Sequence, residues 1–277
     1  MKPIIKIAST TTPDGSELVL SKHDRDYTFT VNREKLMSSR KHESECELAR
    51  LGCERIKDWR NPAVLIGGLG MGYTLRTALD LLEGAMATVE VAELLPAVVR
   101  WNRDIIGDLA GHPLRDKRVV VRVDDVFKVL KKSPNTYDSI MLDIDNGTSA
   151  ITDSNNDRLY TRAGINAIIG ALHLKGSVSF WAADCDKRFK RLLNSCGLYA
   201  HFFRAPSHAG GKNRPHCIWV ASRSKFSLPP LPEIPERGRG KRREVPSVLS
   251  PAPEKQWRHG EALPPSNKNP VDPVNPV

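Results

Sequence analysis

The sequence predicts an α/β fold in which helices cover both faces of a mostly parallel β-sheet. Three observations lead to this prediction. Short apolar runs alternate with helical patterns through the middle of the chain, a glycine-rich turn joins the first of these runs to a helix, and the last two runs have no helix between them. Strands and helices that alternate at this spacing are typical of a parallel sheet.

A small β element, which we place at residues 1–40, precedes this region. Two alternating runs, Glu17–Leu20 and Tyr27–Val31, flank a polar turn, as expected for a β-hairpin. A helix from about residue 42 to residue 57 follows, because apolar and small residues recur there at helical spacing. It leads into the main domain, predicted at residues 41–224.

The main domain holds five predicted parallel strands and five predicted helices. The strands are Ala63–Gly67, Thr88–Ala92, Val119–Val123, Ser139–Leu142 and Ser177–Trp181. The helices lie near Met71–Leu82, Leu95–Ile106, Val126–Lys132, Ala163–His173 and Asp186–Ser195. Two further runs, Tyr199–Arg204 and His216–Ala221, should pair as an antiparallel hairpin at the sheet edge. A Rossmann-like sheet of seven strands that ends in this way is of the methyltransferase type.

The segment from residue 225 to residue 277 has a different composition. It contains 12 of the 20 prolines and few apolar side chains, so we predict a disordered, extended tail. The basic run Arg237–Arg243 could contact RNA or an acidic partner, but a solubilising role is the interpretation that we favour.

Composition places the chain among cytoplasmic globular proteins. No apolar run approaches the length of about 20 residues that spans a bilayer, and no secretory signal is recognisable at the N-terminus. The five cysteines are odd in number and include no CxxC pair, so we expect reduced thiols. The net charge of +10 permits nucleic-acid contact without requiring it. No spacing of His and Cys indicates a metal site.

The glycine turn indicates a nucleotide site. Gly68, Gly70 and Gly72 directly follow the first strand and precede a helix, and glycine allows the backbone to turn tightly and to approach a ligand. Glu93 ends the second strand about 20 residues later, where an acidic residue can accept hydrogen bonds from ribose hydroxyls. The alternative is a tight turn that binds no ligand.

Carboxylates follow the next two strands as well. Asp124 and Asp125 come after the third strand, where a carboxylate can accept the adenine amino group. The alternative is that Asp124 caps the following helix, and both roles can hold at once, one for each residue. Asp143 and Asp145 come after the fourth strand, in a sequence that would also form a plain turn. Because ligands bind at the carboxyl ends of the strands in such sheets, we expect these side chains in the site.

Together these residues resemble the spermidine synthase family of aminopropyltransferases, over roughly residues 15–222. The resemblance is carried by the N-terminal β element and by Ile66–Gly70, Leu75-Arg76, Val91–Glu93, Asp125 with Phe127, Tyr137-Asp138 before Asp143, Leu159-Tyr160 and Leu172–Gly176.

The resemblance implies a role for each predicted site residue. The three glycines would pass beneath a nucleoside with a sulfonium side chain, Glu93 would hold the ribose and Asp125 would meet the adenine. Asp143 and Asp145 would face the sulfonium centre and the incoming amine. Asp145 would accept a proton from the amine, and Asp143 would orient the amine.

Three features depart from the family pattern. Met71 stands where the family has an aspartate that binds the amine of the decarboxylated donor. The second aspartate of the fourth-strand motif aligns with Asn146 without a gap and with Asp145 after a shift of one residue. The family's Tyr-His-Glu run reads Glu45-Cys46-Glu47 here.

We therefore predict a transferase that binds S-adenosylmethionine or its decarboxylated form as co-substrate and passes an aminopropyl group to a small amine, without a metal. One alternative is a methyltransferase that uses S-adenosylmethionine, and another is a non-catalytic protein that binds nucleosides or RNA. The resemblance also implies a homodimer, with no membrane association.

Overall fold

The computed structural model describes residues 2–144, 158–182, 187–205 and 216–231. Most of the predicted tail, from residue 232 onward, lies outside these ranges. No helix in the described ranges has both the length and the hydrophobicity needed to cross a membrane.

The N-terminal region folds as a four-stranded antiparallel sheet. Its strands are β1 (Ile5–Thr11), β2 (Glu17–His23), β3 (Asp26–Val31) and β4 (Glu34–Ser38), and they pair in sequence order. The predicted hairpin is the central pair of this sheet. Leu18 and Leu20 on β2 and Phe29 and Val31 on β3 are buried, because alternate residues of a strand point to one face.

The remaining elements form the main domain. Its helices are α1 (Glu43–Cys53), α2 (Tyr73–Leu81), α3 (Pro96–Asp104), α4 (Val126–Lys132), α5 (Arg162–Ala171) and α6 (Lys187–Ser195). Its strands are β5 (Ala63–Gly67), β6 (Thr88–Glu93), β7 (Val119–Val123), β8 (Tyr137–Leu142), β9 (Leu172–Ala182), β10 (Tyr199–Ala205) and β11 (His216–Ser222).

The seven strands have the order β10-β11-β9-β8-β5-β6-β7. Strands β5 to β9 are parallel, β11 is antiparallel to β9, and β10 pairs with β11 at the edge. This confirms the predicted sheet and its closing hairpin. The strand order reverses between β5 and β8, which is where open α/β sheets bind their ligands.

Two hydrophobic clusters cover the faces of the sheet. One combines the buried side chains of α1, α2 and α3 with those of β2 and β3, so the N-terminal sheet packs into the core of the main domain. The other contains the apolar faces of α4, α5 and α6. The carboxyl ends of β5 and β8 lie between the two clusters, and Gly67 pairs with Leu142 there.

Two details differ from the predictions. Strand β9 begins at Leu172, immediately after α5, so the helix ends two residues earlier than predicted. Gly176 lies against the neighbouring strand, where an added Cβ would be 2.8 Å from the carbonyl oxygen of Tyr137.

Cys217 is disulfide-bonded, so the expectation of five reduced thiols was wrong. Spacing along the chain could not reveal this bond, because disulfide formation depends on distance in the folded protein.

Candidate active site

An open cleft lies between the N-terminal sheet and the carboxyl ends of the central strands. It contains about 820 Å³ of empty space, including its mouth. Gly68, Gly70, Glu93, Asp125 and Asp143 all line it. The opposite wall is apolar and comes from the N-terminal sheet, with Leu18, Phe29, Leu36 and Met37. Nothing in the sequence indicates that these apolar residues belong to a site, because burial in a core predicts the same alternation.

Gly68 makes the closest approach in the glycine turn. Its φ of +90° is a conformation that side chains rarely adopt, and an added Cβ would lie 2.3 Å from the carbonyl oxygen of Asp143. The Gly68 N–H donates to Ala92 O at 2.9 Å, so the turn is fastened to the end of β6. Gly72, by contrast, does not line the cleft; it is the N-cap of α2.

Glu93 ties the glycine turn to the end of β6. Its side chain is 7% exposed, Leu69 N–H donates to Oε2 at 2.9 Å, and Leu95 N–H donates to Oε1 at 2.8 Å. Burial raises the pKa of Glu93, whereas these backbone hydrogen bonds lower it. The backbone N–H groups of Leu94 and Gly70 also act on this carboxylate, which lies at the edge of the cleft.

Asp125, rather than Asp124, caps the helix after β7. The backbone of Asp125 is extended, and its Oδ1 accepts a hydrogen bond from Phe127 N–H at 2.8 Å. Its other oxygen forms an ion pair with Arg158. The interpretation of Asp124 as the cap was wrong by one residue, because α4 begins at Val126 and the N-cap directly precedes the first helical residue.

Asp124 does not line the cleft. Its carboxylate faces two lysines of α4, with Lys132 Nζ at 3.5 Å and Lys128 Nζ at 4.0 Å. The structure therefore places only Asp125 of this pair beside the other candidate residues.

Asp143 follows β8 and reaches the cleft directly behind Gly68. Its backbone N–H donates to Gly67 O at 2.8 Å, and its Oδ2 accepts a hydrogen bond from the Thr74 hydroxyl. Burial raises the pKa of Asp143 to about 6, against the Thr74 hydrogen bond, which lowers it. Asp145 lies outside the described residues, and its predicted role stays a prediction.

Glu45, which the sequence did not single out, is a second carboxyl group next to Asp143, although Glu45 itself does not line the cleft. It lies in the first turn of α1, and Ser44 Oγ donates to its Oε2 at 2.6 Å. His216 Nδ1 is 3.0 Å from Ser44 Oγ. The Ser44 hydroxyl donates its hydrogen bond to Glu45, so its oxygen can only accept a hydrogen bond from His216. We therefore assign the ring proton of His216 to Nδ1. The only signal in the sequence was the acidic residue at a position where the related family has Tyr.

The pKa values of the neighbouring carboxyl groups of Glu45 and Asp143 are both raised. Burial and then the negative charge of Asp143 raise the pKa of Glu45 to about 8. Because two neighbouring negative charges repel each other, this pair holds a proton up to a higher pH than exposed carboxyl groups do. Two carboxyl groups whose surroundings separate their pKa values are a common arrangement in sites that transfer protons.

Replacing Glu45 by Gln should stabilise the protein in alkaline solution and have little effect near pH 4. Below its ordinary pKa of 4.5 the Glu45 carboxyl is protonated in both the folded and the unfolded chain. As the pH rises toward 8, the unfolded chain releases this proton and the folded chain keeps it, so the wild type loses stability. At pH 9 the free energy of unfolding of the variant should be about 1–3 kcal/mol larger than that of the wild type, so the variant should melt roughly 2–10 °C higher.

Thermal unfolding of both proteins between pH 4 and pH 9 measures this difference. The charged and titratable groups that act on this cluster are Asp143, Glu43, Cys46, Tyr73 and Lys41. Glu54→Gln is the matched control, since Glu54 follows the same helix and pairs with Lys57 at 3.4 Å. A stability difference between wild type and Glu45→Gln that stays constant over this pH range would contradict the assignment.

Met71 points away from the cleft. It is 3% exposed, belongs to the hydrophobic cluster that includes α2, and does not line the cleft. The family's aspartate at this position is thus replaced by a residue of the core.

Comparison with known proteins agrees with this geometry. Residues 47–199, more than half of the chain, match the spermine/spermidine synthase domain. A polyamine aminopropyltransferase from Prochlorococcus marinus is 29% identical over 87 residues, which are 31% of this chain and 30% of that protein. The matched stretch thus spans less than a third of that relative's length.

Solved spermidine synthases share the fold. The enzyme from Thermotoga maritima has a TM-score of 0.63 at 18% identity, with 81% of this chain and 76% of that chain covered. A spermidine synthase in complex with the transition state analogue AdoDATO has a TM-score of 0.60 at 18% identity, with the same coverage. The sheet order, the cleft at its switch point and the match over residues 47–199 lead to one conclusion: the chain belongs to the spermine/spermidine synthase family.

Proposed function

We propose that this protein is an aminopropyltransferase, which takes the aminopropyl group of decarboxylated S-adenosylmethionine and passes it to an amine. The observation that carries the proposal is the charge of the cleft. Glu93, Asp125 and Asp143 supply carboxylates to its lining, and none of the described lining residues is Lys, Arg or His. Arg158 forms an ion pair with Asp125 and offsets its charge. Glu93 and Asp143 remain, so the balance of charge in the cleft is still acidic.

An acidic cleft favours the decarboxylated donor over S-adenosylmethionine. Both donors carry a sulfonium and an ammonium group, but S-adenosylmethionine also has a carboxylate, which Asp143 would repel. Unlike charges attract and like charges repel more strongly in a partly dehydrated cleft than in water. The relatives whose names describe aminopropyltransferases and spermidine synthases support the same choice.

The proposed contacts follow the geometry of the cleft. The adenosine would lie along the turn at Gly68 and Gly70, with its ribose hydroxyls on Glu93 and its adenine near Asp125. The apolar wall that contains Phe29 and Met37 would cover the nucleoside from the other side. Gly72 would act indirectly, by starting the helix behind the turn.

Asp143 and Asp145 would prepare the acceptor. A protonated amine has no lone pair, and an amine with a pKa near 10 is mostly protonated at neutral pH. A carboxylate next to the amine attracts the ammonium ion and accepts its proton. The free amine then attacks the aminopropyl carbon that is bonded to the sulfonium, in line with the C–S bond, and this bond breaks to release methylthioadenosine. We assign proton acceptance to Asp145 and orientation of the amine to Asp143.

Methyl transfer from S-adenosylmethionine is the second candidate. Met71 favours it, because no carboxylate occupies the position that binds the donor amine in the related family. Asp143 weakens this candidate, since a carboxylate remains close to where the donor's side chain would lie.

A transfer assay separates the two functions. The protein is incubated with decarboxylated S-adenosylmethionine and a series of short diamines, and release of methylthioadenosine is followed. We expect release that depends on both the enzyme and the amine, with no product when S-adenosylmethionine replaces the decarboxylated donor. Methylation of any acceptor from S-adenosylmethionine, with no aminopropyl product, would refute the proposal.

A further inference from the structure

The helices on the two faces of the main sheet differ in charge. Helices α4, α5 and α6 pack on one face and contain eight Lys and Arg residues and no Asp or Glu. Helices α1, α2 and α3 pack on the other face and contain four basic and five acidic residues. The net positive charge of these helices therefore lies on one face of the sheet.

The eight basic side chains of α4, α5 and α6 form one outer surface, which we call the basic face. All of them are exposed, three on α4, one on α5 and four on α6. The apolar sides of the three helices share one hydrophobic cluster with the sheet, so their polar sides face solvent together. Helix α4 packs against α5, and Arg162 Nη1 at the start of α5 donates to Ser195 O at the end of α6 at 3.0 Å. The charges thus belong to a single surface rather than to separate loops.

Carboxylates do little to neutralise the basic face. In the described ranges from residue 118 to residue 231, no Asp or Glu is exposed. The half-buried Asp124 faces two lysines of α4. On α6, Lys187, Lys190 and Arg191 form no ion pair with any described residue. A surface of this kind attracts a polyanion.

Duplex nucleic acid matches the basic face in charge and in size. A duplex carries about one phosphate charge per 1.7 Å of its axis. Three helices side by side, about 8–10 Å apart, cover roughly 20–30 Å, so several phosphates can lie against the basic face at once. Lysine binds phosphate as a point charge, and arginine presents a planar fork of N–H donors to it.

Membranes and single strands match the basic face less well. Helical surfaces that bind anionic membranes insert exposed Trp, Phe or Leu side chains. None of the large apolar side chains that are exposed in the described ranges belongs to α4, α5 or α6. Single strands are held by bases that stack on exposed aromatic rings, whereas Phe127 and Phe189 of these helices are half-buried. The ring of Phe189 packs against that of Phe180, with the centroids 5.0 Å apart.

We propose that the basic face binds double-stranded nucleic acid through its phosphates, with Lys187, Lys190 and Arg191 of α6 among the contacts. Contacts to phosphate carry no sequence information, so this binding should be independent of base sequence. None of the eight basic residues lines the cleft, so the proposed activity is separate from aminopropyl transfer.

Fluorescence anisotropy with the full-length protein and a labelled DNA duplex of about 20 base pairs tests the proposal. At physiological salt we expect a dissociation constant of about 10⁻⁶–10⁻⁴ M, equal for duplexes of unrelated sequence. The logarithm of the association constant should fall linearly with the logarithm of the salt concentration. A slope of about −3 to −6 is expected when several phosphates are neutralised.

A pair of double variants locates the contact. Lys187→Gln/Arg191→Gln removes two exposed charges that lie one turn apart on α6. The salt slope should become less steep by about 2, and the dissociation constant at low salt should rise about tenfold or more. The matched control Arg100→Gln/Arg103→Gln removes two exposed charges from α3 on the opposite face and should change the affinity by less than about twofold. Thermal unfolding checks that both variants are folded.

Several outcomes would overturn the proposal. Equal losses in the two variants would reduce the binding to net charge, and unchanged binding in the α6 variant would place the contact elsewhere, for example on the basic run Arg237–Arg243. Absence of duplex binding would exclude the activity. Tighter binding to vesicles of phosphatidylserine and phosphatidylcholine would indicate a membrane instead, and tighter binding of polyglutamate would indicate an acidic protein. None of these measurements depends on aminopropyl transfer.

Discussion

Replacing Asp143 by Asn should lower turnover about 10²–10⁴-fold, the range typical of groups that take part in proton transfer. Asn keeps an oxygen for the Thr74 hydroxyl and nearly the same volume, so the loop should hold its shape. What is lost is the negative charge that attracts and orients the ammonium ion. Turnover is measured as release of methylthioadenosine, and calorimetry with methylthioadenosine should give an affinity within about threefold of wild type.

Asp124→Asn is the matched control for this change. It removes the same charge at the end of a neighbouring strand, but its carboxylate faces Lys128 and Lys132 outside the cleft. Turnover in the control should stay within about twofold of wild type. Asp145→Asn should lower turnover at least as far as Asp143→Asn while sparing nucleoside binding. Wild-type turnover in the Asp143 variant would show that Asp143 takes no part in the transfer reaction.

Replacing Gly68 by Ala should cost the protein both stability and nucleoside binding. A side chain at a φ of +90° adds backbone strain, and the new Cβ would lie 2.3 Å from Asp143 O, a backbone atom that cannot rotate away. Together these effects should destabilise the fold by about 2–6 kcal/mol. Thermal unfolding measures this loss, and a folded fraction, if one is recovered, should bind methylthioadenosine at least about tenfold more weakly.

Gly84→Ala isolates the contribution of backbone strain. Gly84 has a similar φ of +83°, but an added Cβ would meet nothing within 4 Å. This variant should therefore lose only about 1–2 kcal/mol. If the two variants melted at the same temperature, the close contact between Gly68 and Asp143 would not exist in solution.

The sequence was sufficient for elements whose signals are local. Ala63–Gly67, Val119–Val123 and Val126–Lys132 have the predicted bounds, because apolar runs and a preceding Asp define their ends. Strands β1 and β4 were missed. Ile5 and Ile7 of β1 are exposed, so this strand has no buried apolar face that would mark it in the sequence. Instead, β1 is ordered by pairing with β2.

The candidate site was predictable only where the strand tips define it. Gly68, Glu93, Asp125 and Asp143 meet because parallel strands end at one edge of the sheet. Glu45 could not be found in this way, since its position beside Asp143 depends on how α1 packs against α2. The apolar wall from the N-terminal sheet depends likewise on tertiary packing.

The most direct test of this account compares three ligands by calorimetry: decarboxylated S-adenosylmethionine, S-adenosylmethionine and methylthioadenosine. The acidic cleft predicts that the decarboxylated donor binds about tenfold or more tightly than S-adenosylmethionine, with methylthioadenosine also bound through the nucleoside contacts. Equal or tighter binding of S-adenosylmethionine would contradict the account in favour of a methyltransferase, and binding of none of the three would remove the nucleoside site altogether.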